Sequence, residues 1–216
     1  MTTKVSLGPD EIRSIKILVE KLAIWDYRSV LRLQVKNNNI GIFGSTPFNC
    51  LAFLALPLKE VTKEIDLVMN ASELVKQLKD ENVNEIHLVD SNKPAPELAL
   101  LPPSGPWMPG EKGMAGDLLP IVKARLEKLK AQIEPLEMLA SDNTKDDVTE
   151  AAWNENLWGG ISFGALNVAA AIGMLAFPGA RVNAATCQGW KRFVTPSGQV
   201  FIRPQKAVRT LLSVVR

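Results

Sequence analysis

Leu31-Arg-Leu-Gln-Val-Lys36, followed by Asn37-Asn38-Asn39 and Ile40-Gly-Ile-Phe43, is the stretch from which the fold can be read. Apolar and polar side chains alternate strictly from Leu31 to Lys36, so one face of an extended chain is apolar and the other is not. Asparagine tolerates positive φ better than most residues, so the three asparagines read as a turn and Ile40 to Phe43 as the returning arm of a hairpin. Downstream, a loop containing Gly44-Ser-Thr-Pro47 leads into Cys50 to Leu58. That segment is apolar on both faces, the pattern of a strand inside a sheet.

Upstream, Gly8-Pro9-Asp10-Glu11 marks a helix start, with proline in the first turn and acids at the positive end of the dipole. Ile12, Ile15, Val19 and Leu22 follow at helical spacing and form one apolar face. Beyond the meander, Glu64 to Met69 alternates as a fourth strand. Asn70-Ala-Ser-Glu73 then has the spacing of a capping box for a helix over Ala71 to Lys79, with Leu74, Val75 and Leu78 inward. Val83 to Val89 closes this unit as a strand.

Between Lys93 and Lys112 stand Pro94, Pro96, Pro102, Pro103, Pro106 and Pro109. Prolines lock φ and donate no backbone hydrogen bond, so the stretch reads as a linker or strapped loop and as the domain boundary. Leu98 to Leu101 and Trp107 are apolar, which predicts that it is pinned to a surface. Next comes a helix over Gly116 to Leu139 with Leu118, Val122, Leu126, Leu129, Ile133 and Leu136 on one face, ended or bent by Pro135. Ala140 to Asp147 reads as a polar loop. A helix from there through Trp158 buries Ala152, Trp153 and Leu157 and is broken by Gly159-Gly160. An apolar helix over Ser162 to Ala176 follows, ended by Pro178-Gly179. The last strands are Val182 to Ala185, Trp190 to Val194 and Gln199 to Arg203, with Thr195-Pro-Ser-Gly198 as a turn. A short amphipathic helix carrying Lys206, Arg209 and Arg216 ends the chain. The expected fold is α+β: a sheet with two helices over residues 1–92, a proline-rich connection over 93–112, and a helical unit closed by a β-hairpin over 113–216.

Charge is divided unevenly along this plan. Asn156 to Arg216 holds seven basic residues and no acid, leaving 18 basic residues against all 23 acids in the preceding part, a net of about −5. Charge asymmetry of this kind points either to an anionic partner or to a basic segment packed beside an acidic one. The candidate anion-binding residues are Lys191, Arg192, Arg203, Lys206 and Arg209, with Trp190, Phe193 and Phe201 interleaved. Cations supply phosphate contacts and exposed rings can stack on bases, whereas alternation turns about half of a strand into a core.

Other chemistries find little footing. The only histidine, His87, alternates with Ile86 and Leu88 and reads as a strand-face residue. Cys50 and Cys187 have no CxxC spacing and read as buried free thiols. Gly44-Ser-Thr lacks the spacing and lysine of a phosphate loop, and no Cys and His cluster has zinc-like spacing. Neither metal nor cofactor is expected, and an enzyme is the less favoured class. Two helices before a hairpin invite a winged-helix reading, but Ser162 to Ala176 has no charged side chain with which to read bases. With no apolar leader and no apolar run of about 20 residues, the expected location is the cytoplasm, without membrane association.

The N-terminal order of helix, meander, strand, helix and strand resembles one domain of a DNA sliding clamp over about 80 residues. Clamps repeat this module along the chain, and no second copy is visible in the downstream sequence. They also line their bore with basic helices, whereas Arg13, Lys16 and Lys21 here alternate with Asp10, Glu11 and Glu20. Leu31-Arg-Leu-Gln34, Gly41-Ile-Phe-Gly44 with Pro47-Phe48, and Gly189-Trp-Lys-Arg-Phe-Val-Thr-Pro-Ser-Gly198 together resemble a family of actinobacterial proteins of unknown function. The resemblance transfers no site residues. The expected function is a binding protein whose basic C-terminal surface meets an anionic partner, nucleic acid first. The alternative is a protein-interaction or scaffold module, as a homo-oligomer or complex subunit, with no role in nucleic acid.

Overall fold

Strict alternation at Leu31 to Lys36 becomes the centre of a four-stranded antiparallel sheet. The computed structural model describes residues 2–60, 63–80, 83–91, 94–139 and 142–204. The chain divides into two compact units, Met1–Leu101 and Pro102–Arg216, and the division falls within the proline-rich stretch.

In the first unit the elements are β1 (Thr2–Ser6), α1 (Pro9–Trp25), β2 (Val30–Lys36), β3 (Asn39–Ser45), β4 (Cys50–Pro57), β5 (Ile65–Asn70), α2 (Ala71–Gln77) and β6 (Glu85–Val89). The turn between β2 and β3 is Asn37-Asn38, both at positive φ (50° and 58°), which matches the twist of a two-residue hairpin. β5 joins the other edge of β2, and β3 pairs with β4. Leu31, Leu33 and Val35 point inward and meet the apolar stripe of α1, where Ile15, Val19 and Leu22 are fully buried. This approach is close: a Cβ at Gly44 would overlap the Leu22 side chain. β1, which alternation alone did not reveal, pairs with β6 in a separate two-stranded sheet. Each strand that precedes a helix therefore pairs with the first strand after the other helix.

One local expectation fails. Asn70 does not cap α2 through its side chain, and its amide donates instead to Glu73 Oε1 at 3.1 Å. Those two side chains satisfy each other and leave the first turn's N–H groups to other acceptors.

The second unit contains β7 (Met108–Met114), α3 (Ala115–Leu139), α4 (Asp142–Asn154), β8 (Asn156–Trp158), β9 (Ile161–Ser162), α5 (Phe163–Ala171), β10 (Arg181–Cys187), β11 (Trp190–Thr195) and β12 (Gly198–Ile202). Its sheet runs β7, β10, β11, β12. Strand, helix and three-stranded meander thus recur here, with α4, β8, β9 and α5 inserted between the helix and the meander. That insertion is why the recurrence has no sequence spacing to betray it. The last helix expected from sequence, with Lys206, Arg209 and Arg216, lies outside the described residues.

Several boundaries differ from the periodicity. β7 occupies the end of the stretch read as loop, because β10 supplies its hydrogen bonds. α3 continues past Pro135, which lies one turn from the helix end, where the carbonyl of exposed Ala131 can face water. α4 starts at Asp142 within the segment read as polar loop. It stops at Asn154 rather than Trp158, because Asn156–Trp158 turns back on Ile161–Ser162. α5 is capped by Ser162, which accepts from Ala165 N, and it ends at Ala171, where Gly173 takes φ +80°. α5 is a core helix: Phe163, Ala165, Leu166, Val168 and Ala169 are all buried.

The polar face of the first sheet is organised by Arg32. Its Nε and one terminal nitrogen donate to the two oxygens of Asp66, both at 2.8 Å, and its other nitrogen donates to the Leu98 carbonyl at 3.0 Å. Gln34 adds a bond to Asp66 at 2.9 Å. Leu98, in a single 3-10 turn at Pro96–Leu98, is thereby strapped down and is 1% exposed. The Arg32 hydrogen bonds are the main reason that Asp66 lies below the usual carboxylate range, against a smaller opposing effect of desolvation. A depressed folded pKa means that the stabilisation is present above the unfolded pKa and is lost as pH falls through the folded one. Asp66→Asn is therefore expected to lower stability near pH 7 by about 1 kcal/mol and to flatten the loss of stability below about pH 4 in urea melts. Gly44→Ala is expected to destabilise by about 1–3 kcal/mol through overpacking against Leu22, read as a lower urea midpoint.

Candidate binding face of the second sheet

The two faces of the meander β10–β11–β12 have different fates, and alternation assigns each cation to one of them. Cys187 and Trp190 are cross-strand partners joined by Gln188-Gly189, both at positive φ (49° and 82°), so the hairpin register is fixed by a two-residue turn. From that register, Lys191, Phe193 and Thr195 share one face, and Trp190, Arg192 and Val194 share the other.

On the first face Phe193 is fully buried, with Trp158 edge-on at 6.0 Å and 88°. Lys191 is drawn into the same packing. Its ammonium donates to the Gly160 carbonyl at 2.7 Å and to Asn156 Oδ1 at 3.3 Å, tying β11 to the β8–β9 turn. Arg203, just past β12, is only 8% exposed. Lys206 and Arg209 lie outside the described residues. Of the five cations singled out from sequence, Arg192 is the one seen at the wall of a cavity.

On the second face the Arg192 guanidinium lies over the Trp107 ring, 4.5 Å from its centroid, and Trp107 also packs on Phe201 at 5.7 Å. Trp107 belongs to the proline-rich stretch, whose apolar residues predicted attachment to a surface. Two cross-strand rows form the floor of a cavity of about 220 Å³: Arg192, Ala185 and Pro109 in one, Val194, Asn183 and Lys112 in the next. The register of β7 on β10 shifts between Asn183 and Ala185, and this bulge opens the floor at Gly110. Desolvation lowers the Arg192 pKa from its ordinary value, with a smaller opposing effect of Cys187, yet an arginine keeps its charge at neutral pH. Its Nε–H is buried and has no hydrogen-bond partner among the described residues. Arg32 and Arg125, by contrast, each grip a carboxylate, Asp66 and Glu155 respectively.

Sequence reasoning identified Arg192 but not its companions. Lys112 and Asn183 come together with it only through the β7–β10 pairing, and no local pattern announces that. His87 is exposed on β6, and its backbone N–H donates to Gln77 Oε1 at 2.7 Å. Among the described residues, no three His, Cys, Asp or Glu side chains gather as a metal site, and no helix is long and apolar enough to cross a membrane.

Residues 5–96 match a family model described as a domain of unknown function (DUF8010). No curated protein matches the chain. Solved structures with the same fold are bacterial sliding clamps. The DNA polymerase III subunit beta of Pseudomonas aeruginosa has a TM-score of 0.61 at 11% identity, over 94% of this chain and 64% of that one. That of Thermotoga maritima has a TM-score of 0.55 at 13% identity, over 94% and 64%. The Caulobacter crescentus polymerase III beta has a TM-score of 0.60 at 8% identity, over 93% and 65%. This chain therefore spans about 64% of the length of the clamp chains that it matches. The likeness extends well past the first 80 residues, so the downstream copy missing from the sequence is present in the fold.

Removing the Lys191 ammonium should expose what it does. Lys191→Met is expected to lower stability by about 1 kcal/mol through loss of its hydrogen bonds and to speed amide exchange in β8 and β9, as read by thermal melts and hydrogen exchange.

Proposed function

We propose that the chain is a binding protein on a clamp-type fold that grips protein partners and does not track nucleic acid. The observation that carries this is that the hairpin cations do not converge: Lys191 reaches to the Gly160 carbonyl on one face of the strand, Arg192 is set in a small cavity on the other, and Arg203 is buried. Binding along a phosphate backbone draws its affinity from several cations converging on one exposed surface. The helices do not supply such a surface either. α1 carries Arg13, Lys16 and Lys21 among Asp10, Glu11 and Glu20, and α3 carries Lys123, Lys128 and Lys130 among Asp117, Glu127 and Glu134. Among the solved structures that share the fold are DNA polymerase sliding clamps, and what is taken from them is that the fold suits a binding role. Cys50 and Cys187 are buried thiols outside any disulfide, which suits work in the reducing cytoplasm.

Fluorescence anisotropy of labelled single- and double-stranded oligonucleotides at about 50 mM salt tests the proposal, because phosphate contacts are strongest at low salt. No saturable binding is expected. Binding that saturates and then falls steeply with added salt would restore the nucleic-acid reading.

A further inference from the structure

The cavity at Arg192 has a composition that selects its ligand. Arg192 brings a guanidinium whose Nε–H is buried and unpartnered and whose flat face is covered by Trp107, so a ligand in the cavity meets it at its edge. Lys112 stands exposed at the rim and Asn183 offers a carboxamide beside it, while Pro109, Ala185 and Val194 make the rest of the floor apolar. Two other buried polar atoms have no hydrogen-bond partner among the described residues: Arg125 Nη1, on the arginine that grips Glu155, and Gln199 Oε1, in the strand pair next door, where Gln199 faces Val194. Buried donors are nearly always satisfied, and an exception in an otherwise packed fold asks what is missing.

The same fold shows what Arg192 lacks. Arg32 also sits across a strand pair from a phenylalanine, Phe43, as Arg192 sits across from Phe201. Arg32 has both oxygens of Asp66 in its fork, and a 3-10 turn strapped over it. Arg192 has the strap, in Trp107, and no acid among the described residues. We propose that the Arg192–Trp107 cavity is a binding site for a carboxylate on a short apolar stem, with the carboxylate taking the in-plane donors of Arg192 and the stem lying against Val194 and Ala185. A planar carboxylate matches the fork of a guanidinium two bonds at a time. A doubly charged phosphate would leave one charge facing an apolar floor at a desolvation cost that a single rim ammonium does not offset. The volume, about 220 Å³, lies below the roughly 300 Å³ at which pockets hold drug-sized ligands, so a side chain or small acid is the right size.

Such a carboxylate comes either from a small free acid or from a glutamate of a partner protein. The site deepens the reading of the chain as a protein-binding module and rests on it only for the second source. The oligonucleotide titration judges the module, and a carboxylate titration judges the pocket. The full chain is titrated with phenylacetate against phenylacetamide, and with a blocked tripeptide whose only charge is one Glu against its Gln counterpart. The readouts are the Arg192 Nε–H and the Trp107 indole N–H in NMR spectra, the latter assigned with Trp107→Phe. Saturable shifts from the acid of either pair and not from its amide are expected. Affinity should fall at least about tenfold in Arg192→Lys and Arg192→Met and stay unchanged in Lys123→Met, a substitution on α3. A response to phenylacetate alone assigns a small acid, and a response to the Glu peptide assigns a protein segment. Equal responses to acid and amide, displacement by inorganic phosphate at similar concentration, or unchanged binding in a folded Arg192→Lys would each overturn the proposal.

Discussion

A guanidinium placed on the face of a sheet has donors in one plane, and whatever meets them must be an acceptor in that plane. Arg32 meets this constraint within its own unit. Its two contacts with Asp66 tie β2 to β5, and its third, to the Leu98 carbonyl, holds the following segment against the sheet. The apolar side of the same strand does the complementary work, burying Leu31, Leu33 and Val35 under α1. One alternating strand therefore anchors the core on one side and the strap on the other. The free energy of a single bidentate pair is small beside that of the core, but its geometry decides where the chain leaves the first unit.

The second unit uses the same parts with one omission. Its meander is again pinned by a two-residue turn at positive φ, its inner face is again packed by aromatic and aliphatic side chains, and its outer face again carries an arginine under a strap. Among the described residues of the unit, no acid pairs with that arginine. Lys191, one residue away in sequence, faces the other way and donates to a backbone carbonyl. Adjacent cations of a strand are thus placed by the pleat on opposite faces of the sheet.

Legibility followed the range of the interactions involved. α1 and the β2–β3 and β11–β12 hairpins were readable because their periods and turns are encoded within a few residues. The core character of α5 was readable from composition, since a helix with no charged side chain belongs inside. The capping box at Asn70, the ends of α4 and α5 and the strand at Met108–Met114 were misread. At Asn70, at the end of α4 and at Met108–Met114 a competing partner (Glu73, the β8–β9 turn, β10) overrode the local pattern, and at the end of α5 Gly173 at φ +80° closed the helix early. The recurrence of strand, helix and meander in the second unit escaped notice because an insertion of two helices and two short strands broke the spacing.

What the sequence determined by itself is the α+β class, the apolar faces, the principal turns and the identity of Arg192 as a cation among aromatic residues. These depend on contacts between near neighbours. Only the tertiary structure decided that β1 pairs with β6 and β7 with β10, that Lys191 reaches the Gly160 carbonyl, and that Trp107, Lys112 and Asn183 gather around Arg192. The physical reason is that strand pairing is non-local: a backbone donor accepts any extended partner, and which one it meets is chosen by the packing of whole sheets against helices, not by the residues of either strand alone.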